Sequence, residues 1–315
     1  MVQTKFLGTT AIEVPAVGVG AWAWGDSLFW AYGKGYGEKE VTEAFHAAVD
    51  HGLTLFDTAE VYGMGKSEQI LGRLCQQTQA PVAVATKYFP FPWRWQRAAI
   101  SRALTRSLER LQMSRITLYQ IHFPLELFLR IPDFMEVLAE EVKQGRIEAV
   151  GVSNYSAQQM RQAHEILQMK GISLAVNQVN YSLLTRQIES NGVLATAEEL
   201  GITILAYSPL AQGLLTGKYT PEHTPKLQGA RLLDPRFKPK GLQKIAPLLE
   251  KLAILAEKYN RTPSQVALNW LVEQKNVIPI PGAKTAKQAA ENAGALGWSL
   301  SPEDWQSLAS IPVTS

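Results

Sequence analysis

Cysteine is almost absent from this sequence, and long apolar runs are absent altogether. Cys75 is the only cysteine among 315 residues, so neither an internal disulfide nor a cysteine metal cluster can form. No stretch approaches the roughly eighteen apolar residues that a membrane-spanning helix needs. The first residues also lack the charged and then apolar pattern of a signal peptide. We therefore expect a soluble, cytoplasmic protein without a membrane partner.

Histidine and net charge are scarce as well. The five histidines include no His-x-His or HExxH spacing, so the sequence predicts no metal site. A metal-dependent barrel hydrolase is therefore a weak alternative. The net charge of +3 suits attraction of an anionic small molecule but is too small to indicate nucleic acid as a partner.

Apolar, strand-like runs alternate with stretches of helical periodicity along most of the chain. After an N-terminal β-hairpin, TKFLG and AIEVP, eight strands are expected at AVGVGAW, LTLFDTA, VAVATKY, ITLYQIHF, IEAVGVSN, LAVNQVNYS, ITILAYSPL and VIPIPGA. A helical stretch follows each one, and several end at a capping glycine: Gly52, Gly145, Gly171, Gly201 and Gly297. This alternation predicts an α/β fold, a (β/α)8 TIM barrel, rather than an open doubly wound sheet.

One insertion breaks the alternation. Residues 211–261, after strand 7, are rich in proline, glycine and lysine, and we expect a long loop there that closes over the mouth of the barrel. We expect residues 1–315 to form a single barrel domain.

Four polar residues stand where apolar runs end: Asp57, Tyr62, Lys87 and His122. Taken singly, each is better explained as a cap, a packing residue or a solvated side chain. In a barrel, however, the carboxyl ends of the strands meet at one rim, so these side chains converge. An ammonium beside a phenol lowers the phenol pKa, an aspartate holds the ammonium charged, and a neutral imidazole orients a carbonyl oxygen. Together they predict a proton-donating site without a metal.

Seven segments make the chain resemble the aldo-keto reductases. In order they are FDTAEVYGMGKSEQILG, ATKY, LYQIHFP, VGVSNYS, NQVNYSLL, AYSPLAQGLLTGKY and IPGAKTAKQAAENAGAL. The resemblance implies a barrel that binds a nicotinamide dinucleotide without a Rossmann domain. It implies that Tyr62 is the general acid, that Lys87 and Asp57 tune its pKa, and that His122 orients the carbonyl.

The resemblance also implies a set of cofactor contacts. These are Ser153, Asn154, Gln178 and Tyr207 at the nicotinamide, then Ser208, Leu210, Gly213 and Lys218 along the pyrophosphate, and finally Gly282, Lys284, Gln288, Glu291 and Asn292 at the adenosine, with Arg231 closing over them.

Two lysines near the start of the last predicted helix bear on the choice of cofactor. Lys284 and Lys287 run against the helix dipole, which favours an anionic ligand such as a 2′-phosphate over a purely structural role. The alternative is two solvated surface lysines. Many aldo-keto reductases carry a Lys-Ser pair and an Arg here, whereas this chain has Gly282, Ala283 and Gln288. We expect NADPH/NADP rather than NAD.

The expected activity is NADPH-dependent reduction of aldehydes and ketones to alcohols. Trp24 and Trp93 are candidate substrate contacts within a larger group of tryptophans, although packing between loops explains them equally well. The segments GAWAWGD and IPGAKT resemble a branch that includes pyridoxal reductases, so pyridoxal is a candidate substrate. The alternative is a cofactor-binding, redox-sensing protein like the channel subunits of this family. The start of the chain close to its first hairpin favours the free enzyme. The sequence indicates no oligomeric state.

Overall fold

The computed structural model describes residues 2–220, 227 and 229–312. The chain opens with an antiparallel hairpin of strands β1 (Thr4–Phe6) and β2 (Glu13–Pro15). The described residues then contribute eight parallel strands, each paired with the next along the chain. They are β3 (Val19–Gly20), β4 (Leu55–Asp57), β5 (Ala83–Tyr88), β6 (Ile116–Ile121), β7 (Ile147–Ser153), β8 (Leu174–Asn180), β9 (Thr203–Tyr207) and β10 (Val277–Pro279).

Backbone contacts beside the last strand close this sheet on itself. The Gly20 N–H donates to the Pro281 carbonyl at 3.0 Å, and Gly20 forms a parallel bridge with Gly282. A side chain at Gly20 would lie 3.0 Å from the Ile280 carbonyl oxygen, so a glycine permits the close approach of the two segments. The predicted (β/α)8 barrel with its N-terminal hairpin is confirmed.

The helices surround the barrel. Within the described residues they are α1 (Glu38–Asp50), α2 (Lys66–Cys75), α3 (Ala98–Leu111), α4 (Ile131–Lys143), α5 (Ala157–Gln168), α6 (Val193–Leu200), α7 (Pro239–Lys258), α8 (Pro263–Val272), α9 (Ala286–Ala293) and α10 (Pro302–Ala309). Short 3-10 turns lie at Tyr62–Gly65, Gln187–Glu189, Ala211–Thr216, Gly229–Leu233 and Pro235–Phe237. None of the described helices combines the length and apolarity needed to cross a membrane.

The predicted strands and four of the five predicted capping glycines agree with the structure. Every strand from β3 to β10 falls inside a run that the apolar pattern predicts. The five glycines expected to end helices all have a positive φ, between 65° and 81°. Glycine adopts this conformation without the steric cost that a Cβ atom brings, which suits Gly52, Gly145, Gly171 and Gly201 to the turns that follow their helices. Gly297 does not end a helix, because α9 ends at Ala293 and is capped by Gly294.

The expectation of a continuous loop over residues 211–261 is wrong in part. Helix α7 occupies twenty of these residues and buries Leu242, Leu248, Leu252 and Leu255 at helical spacing. Pro239 is its first residue, where a missing N–H costs little. The proline and lysine content of this segment is typical of a loop, so the sequence analysis did not predict the helix. It did not predict α10 either. Residues 221–226 and 228 of the insertion lie outside the described residues.

The interior of the barrel is packed and the hairpin covers one of its ends. Apolar side chains from successive strands, such as Leu55, Leu118 and Leu205, form a cluster inside the sheet. Leu7 and Val14 of the hairpin segment join the same cluster and are almost fully buried. The other end of the barrel, at the carboxyl ends of the strands, is where barrel enzymes place their chemistry.

Candidate active site

The four predicted catalytic residues come together at the carboxyl ends of three neighbouring strands. Asp57 is the last residue of β4, Lys87 lies one residue before the end of β5, and His122 directly follows β6. Tyr62 begins the 3-10 turn after β4. The short distance between adjacent parallel strands brings their side chains together at one rim.

Lys87 and Asp57 form a buried ion pair beneath Tyr62. The Lys87 Nζ donates to Asp57 Oδ1 at 2.5 Å and to the Thr58 carbonyl at 2.8 Å. Lys87 has no exposed surface and Asp57 is 3% exposed. The Lys87 Nζ also lies 5.0 Å from the centre of the Tyr62 ring. A positive charge is therefore fixed close to the phenol and is shielded from water.

Two amide side chains hold the remaining oxygen of Asp57. Gln178 Nε2 donates to Asp57 Oδ2 at 2.8 Å, and Gln120 Nε2 lies 3.3 Å from the same atom. Gln178 was expected at the nicotinamide, and here its amide also supports the ion pair. The sequence analysis missed Gln120. The sequence could have indicated this residue, because a glutamine inside the apolar strand ITLYQI is expected to be buried, and a buried amide requires polar partners.

The expected net lowering of the Tyr62 pKa below its usual value does not occur in this structure, because burial outweighs the effect of the Lys87 charge. Burial raises the pKa of Tyr62 well above its usual value of 10.0, and the negative charge of Asp57 raises it further. Burial also lowers the pKa of Lys87, although Asp57 opposes that effect. Tyr62 is therefore protonated throughout the neutral pH range and holds a proton that it can donate.

His122 is neutral, as the chemistry of the site requires. Burial and the nearby charge of Lys87 lower its pKa from 6.5 to about 3. The imidazole packs edge-on against the Tyr62 ring, with 5.7 Å between the ring centres. Its Nδ1 atom is buried and has no hydrogen-bond partner. A neutral ring beside the phenol can form a hydrogen bond to the oxygen that receives the proton.

A cavity of about 740 Å³ extends from this rim. All fourteen residues that the sequence analysis expected at the cofactor line it, and so do Asp57, Tyr62 and His122. Lys87 does not, because it lies wholly beneath the surface. This cavity brings together residues that lie far apart in the chain.

One end of the cavity presents a fixed group of hydrogen-bonding atoms. Asn154 has a left-handed backbone, with a φ of 62°, and its amide donates to the Ser153 hydroxyl at 3.0 Å and the His122 carbonyl at 3.2 Å. The Tyr207 hydroxyl donates to Asn154 Oδ1 at 3.1 Å. These contacts orient the side chains, and an aromatic ring beside amide groups suits a flat heterocycle that carries a carboxamide.

The other end of the cavity is cationic. Lys218, Arg231 and Lys284 line it, and helix α9 begins just beyond Lys284. Gln288 Oε1 accepts a hydrogen bond from the Lys284 N–H at 2.8 Å, which holds this segment against the helix. Burial and the charge of Arg231 lower the pKa of Lys284 from 10.5 to about 8. This arrangement fits the phosphates of a dinucleotide.

The two expected substrate contacts, Trp24 and Trp93, do not line the cavity. Trp24 is fully buried, and its indole N–H donates to the Ala283 carbonyl at 2.8 Å, so it is a core residue. Trp93 is 70% exposed and stacks on Phe91 outside the cavity. The aromatic residues that line the cavity beside Tyr62, His122 and Tyr207 are instead Trp22, Phe29, Trp30, Phe89 and Phe123, and of these Trp22 stacks on Tyr62.

The barrel and the chemistry at its rim define an oxidoreductase of the (β/α)8 class. A sequence profile of the Aldo/keto reductase family matches residues 16–312. The chain therefore belongs to the aldo/keto reductase family, as the resemblance implied.

Individual relatives agree with this assignment. The chloroplastic pyridoxal reductase of Arabidopsis thaliana is 36% identical over 93% of this chain and 82% of its own length. A glycerol dehydrogenase structure from Gluconobacter oxydans is 31% identical, with a TM-score of 0.84 over 97% of this chain and 94% of its own. An aldo-keto reductase from Klebsiella pneumoniae, solved in complex with NADPH, is 27% identical, with a TM-score of 0.75 over 98% of this chain and 94% of its own.

Proposed function

We propose that this protein reduces the carbonyl group of a small aldehyde or ketone to an alcohol with NADPH, and that Tyr62 donates the proton. The buried pair of Lys87 and Asp57 beneath the Tyr62 ring carries the proposal, because it places a fixed positive charge where a phenolate would form. We further propose that one domain, residues 1–315, performs the whole reaction.

The residues of the cavity fit this cofactor. The Asn154, Ser153 and Gln178 group would hold the carboxamide, and Tyr207 would stack on the ring. The cationic end would hold the phosphates, with Lys284 and Arg231 nearest the adenosine. When bound, NADPH supplies the hydride that adds to the carbonyl carbon.

The protein's own residues handle the proton. The Tyr62 hydroxyl and the neutral His122 ring both face the place where the carbonyl oxygen would lie, and the two hydrogen bonds would polarise it. As Tyr62 gives up its proton, the Lys87 ammonium stabilises the phenolate that remains. Asp57 keeps the ammonium in place, and the aromatic walls exclude water from the reacting oxygen.

We expect the purified protein to turn over many equivalents of NADPH with an aromatic aldehyde. The measurement is the loss of NADPH absorbance with 4-nitrobenzaldehyde and, separately, with pyridoxal, which the relationship to pyridoxal reductase makes the first natural candidate. NADPH should be preferred over NADH by about tenfold or more, the size expected for a charged hydrogen bond to the 2′-phosphate. Oxidation of less than one equivalent would instead support the alternative of a redox-sensing, cofactor-binding protein.

We expect the affinity for NADPH to fall as the pH rises above about 8. Lys284 loses its proton through this range in the free protein, whereas a bound phosphate favours the charged lysine. Binding at pH 9 must therefore take up a proton, and the dissociation constant should increase by up to about tenfold between pH 8 and pH 9. Fluorescence titration of NADPH at each pH gives the constant.

The matched variants are Lys284→Met and Lys287→Met. Lys287 is exposed and does not line the cavity, so its replacement should preserve both the affinity and its pH dependence. Lys284→Met should bind NADPH more weakly at pH 7 and show a flatter response. An unchanged pH slope in Lys284→Met would exclude Lys284 as the titrating group.

A further inference from the structure

Glu60 and Arg94 form a largely buried ion pair beside the catalytic rim, and the mechanism above does not use it. Glu60 lies after β4, two residues before Tyr62, and Arg94 lies in the loop between β5 and α3. Arg94 Nη2 donates to Glu60 Oε2 at 2.9 Å, and Nη1 donates to Oε1. The Glu60 side chain is 6% exposed and that of Arg94 is 16% exposed. Charges enclosed in this way are stable only when further hydrogen bonds satisfy them.

Both members of the pair also bind the backbone of Phe89. The Phe89 N–H donates to Glu60 Oε1 at 2.7 Å, and Arg94 Nη1 donates to the Phe89 carbonyl at 3.0 Å. Phe89 directly follows the last residue of β5. Hydrogen bonds to charged groups are stronger than those between neutral groups, and these two fix the peptide groups on both sides of one residue. The ion pair therefore sets the position of Phe89.

The rest of the loop after β5 offers Phe89 little support. The Arg94 guanidinium lies 5.0 Å from the centre of the Tyr88 ring and 5.2 Å from the centre of the Phe91 ring. Beyond these contacts the loop is open, because residues 92, 93 and 95–97 are exposed. A segment with few buried contacts moves easily unless specific bonds hold it. The anchoring of this loop therefore falls largely to the ion pair.

Phe89 transmits this anchoring to the reaction site. Its side chain lines the cavity, and its ring packs edge-on against His122, with 5.6 Å between the ring centres. His122 has supports of its own, since its N–H donates to the Tyr88 carbonyl at 2.9 Å and its ring stacks on Phe123. A shift of Phe89 should therefore change the apolar wall of the cavity more than it changes the position of His122.

We propose that Glu60 and Arg94 are positioning residues for the substrate, because they hold Phe89 as an apolar wall for an aromatic ring attached to the reacting carbonyl. The inference rests on the proposed function, since it takes a carbonyl compound beside Tyr62 and His122 as the ligand. An aromatic aldehyde carries a ring that can pack against Phe89, whereas acetaldehyde carries none. The ion pair should therefore set the preference for aromatic over small aliphatic substrates.

The Michaelis constants of two aldehydes, measured at saturating NADPH, test the inference. Arg94→Met keeps an unbranched apolar side chain but removes the hydrogen bonds to Glu60 and Phe89. It should raise KM for 4-nitrobenzaldehyde about tenfold and change kcat by less than about threefold, because the lost contact is one that substrate and transition state share. KM for acetaldehyde and the dissociation constant of NADPH should stay within about twofold of the unaltered protein.

A double-mutant cycle shows whether Arg94 acts through Phe89. Phe89→Ala alone should raise KM for 4-nitrobenzaldehyde about tenfold, because it removes the apolar wall. Arg94→Met added to Phe89→Ala should then raise KM by less than about twofold more, since both changes remove the same contact. A purely structural role of the ion pair predicts independent effects instead. A further increase of about tenfold in the double variant would overturn the inference.

Arg146→Met is the matched control for Arg94→Met. Arg146 Nε donates to Glu141 Oε2 at 2.6 Å, and the two side chains are 27% and 3% exposed. Neither residue lines the cavity. The loss of this pair should lower the stability of the protein but leave KM for both aldehydes within about twofold of the unaltered protein.

Arg94→Lys decides the question if Arg94→Met does not fold. Lysine keeps a positive charge beside Glu60 but lacks the planar fork that also reaches the Phe89 carbonyl. KM should rise severalfold for 4-nitrobenzaldehyde and stay unchanged for acetaldehyde. An equal change for both aldehydes, or no change for either, overturns the inference while the proposed function stands. If the unaltered protein reduces neither aldehyde with NADPH, the proposed function and the inference both fail.

Discussion

Tyr62→Phe should lose almost all carbonyl reduction while it still binds NADPH. The phenylalanine keeps the ring that packs against Trp22 and His122 but has no proton to give. General acid catalysis accounts for about 10²–10⁴-fold in rate, so kcat should fall by about a thousandfold. The dissociation constant of NADPH should change by less than about twofold, since the interaction lost belongs to the transition state. Steady-state kinetics and fluorescence titration measure the two quantities.

Tyr155→Phe is the matched control for this variant. Tyr155 is a buried tyrosine, its hydroxyl makes no hydrogen bond, and it does not line the cavity. Its replacement should leave kcat nearly unchanged. Unimpaired turnover by Tyr62→Phe would show that another group donates the proton.

Lys87→Met should be as damaging to catalysis as the loss of Tyr62 and should also destabilise the fold. Without the ammonium, no charge stabilises the phenolate, so we expect kcat to fall by about a hundredfold or more. The Asp57 carboxylate would remain buried with only the amides of Gln178 and Gln120 as partners. An unpaired buried charge costs about 3–5 kcal/mol in the free energy of unfolding, which urea denaturation measures.

A double variant separates the two effects of Lys87. Lys87→Met with Asp57→Asn removes both charges, so it should recover much of the lost stability. It should recover little activity, because the ammonium beside Tyr62 is still missing. Restored turnover in the double variant would mean that Lys87 matters only through folding.

The strand pattern made the barrel predictable, because burial on both faces gives nearly continuous apolar runs. Helix α7 was not predicted because its composition is typical of a loop. Only the folded structure shows that Leu242 and Leu252 pack against apolar partners in the core. Local pattern could not reveal this, because helix stability in proteins comes mostly from packing against the rest of the fold.

The sequence predicted which residues converge at the site better than it predicted their contacts and pKa shifts. The residues at strand ends converge because the barrel topology requires it. Trp22 and Trp24, two positions apart, could not be distinguished, although one lines the cavity and the other lies in the core. The direction in which the Tyr62 pKa shifts depends on how completely the fold buries the phenol. That burial depends on the loops around the site and cannot be read from the local sequence.

Closure of the barrel joins residues near the start of the chain to residues near its end. The pairing of Gly20 with Gly282 cannot form during synthesis until Gly282 has been added and has left the ribosome. Until then β3 presents unpaired backbone groups that can bind another nascent strand. Folding of this protein should therefore be slow in its last step and sensitive to crowding by other unfinished chains.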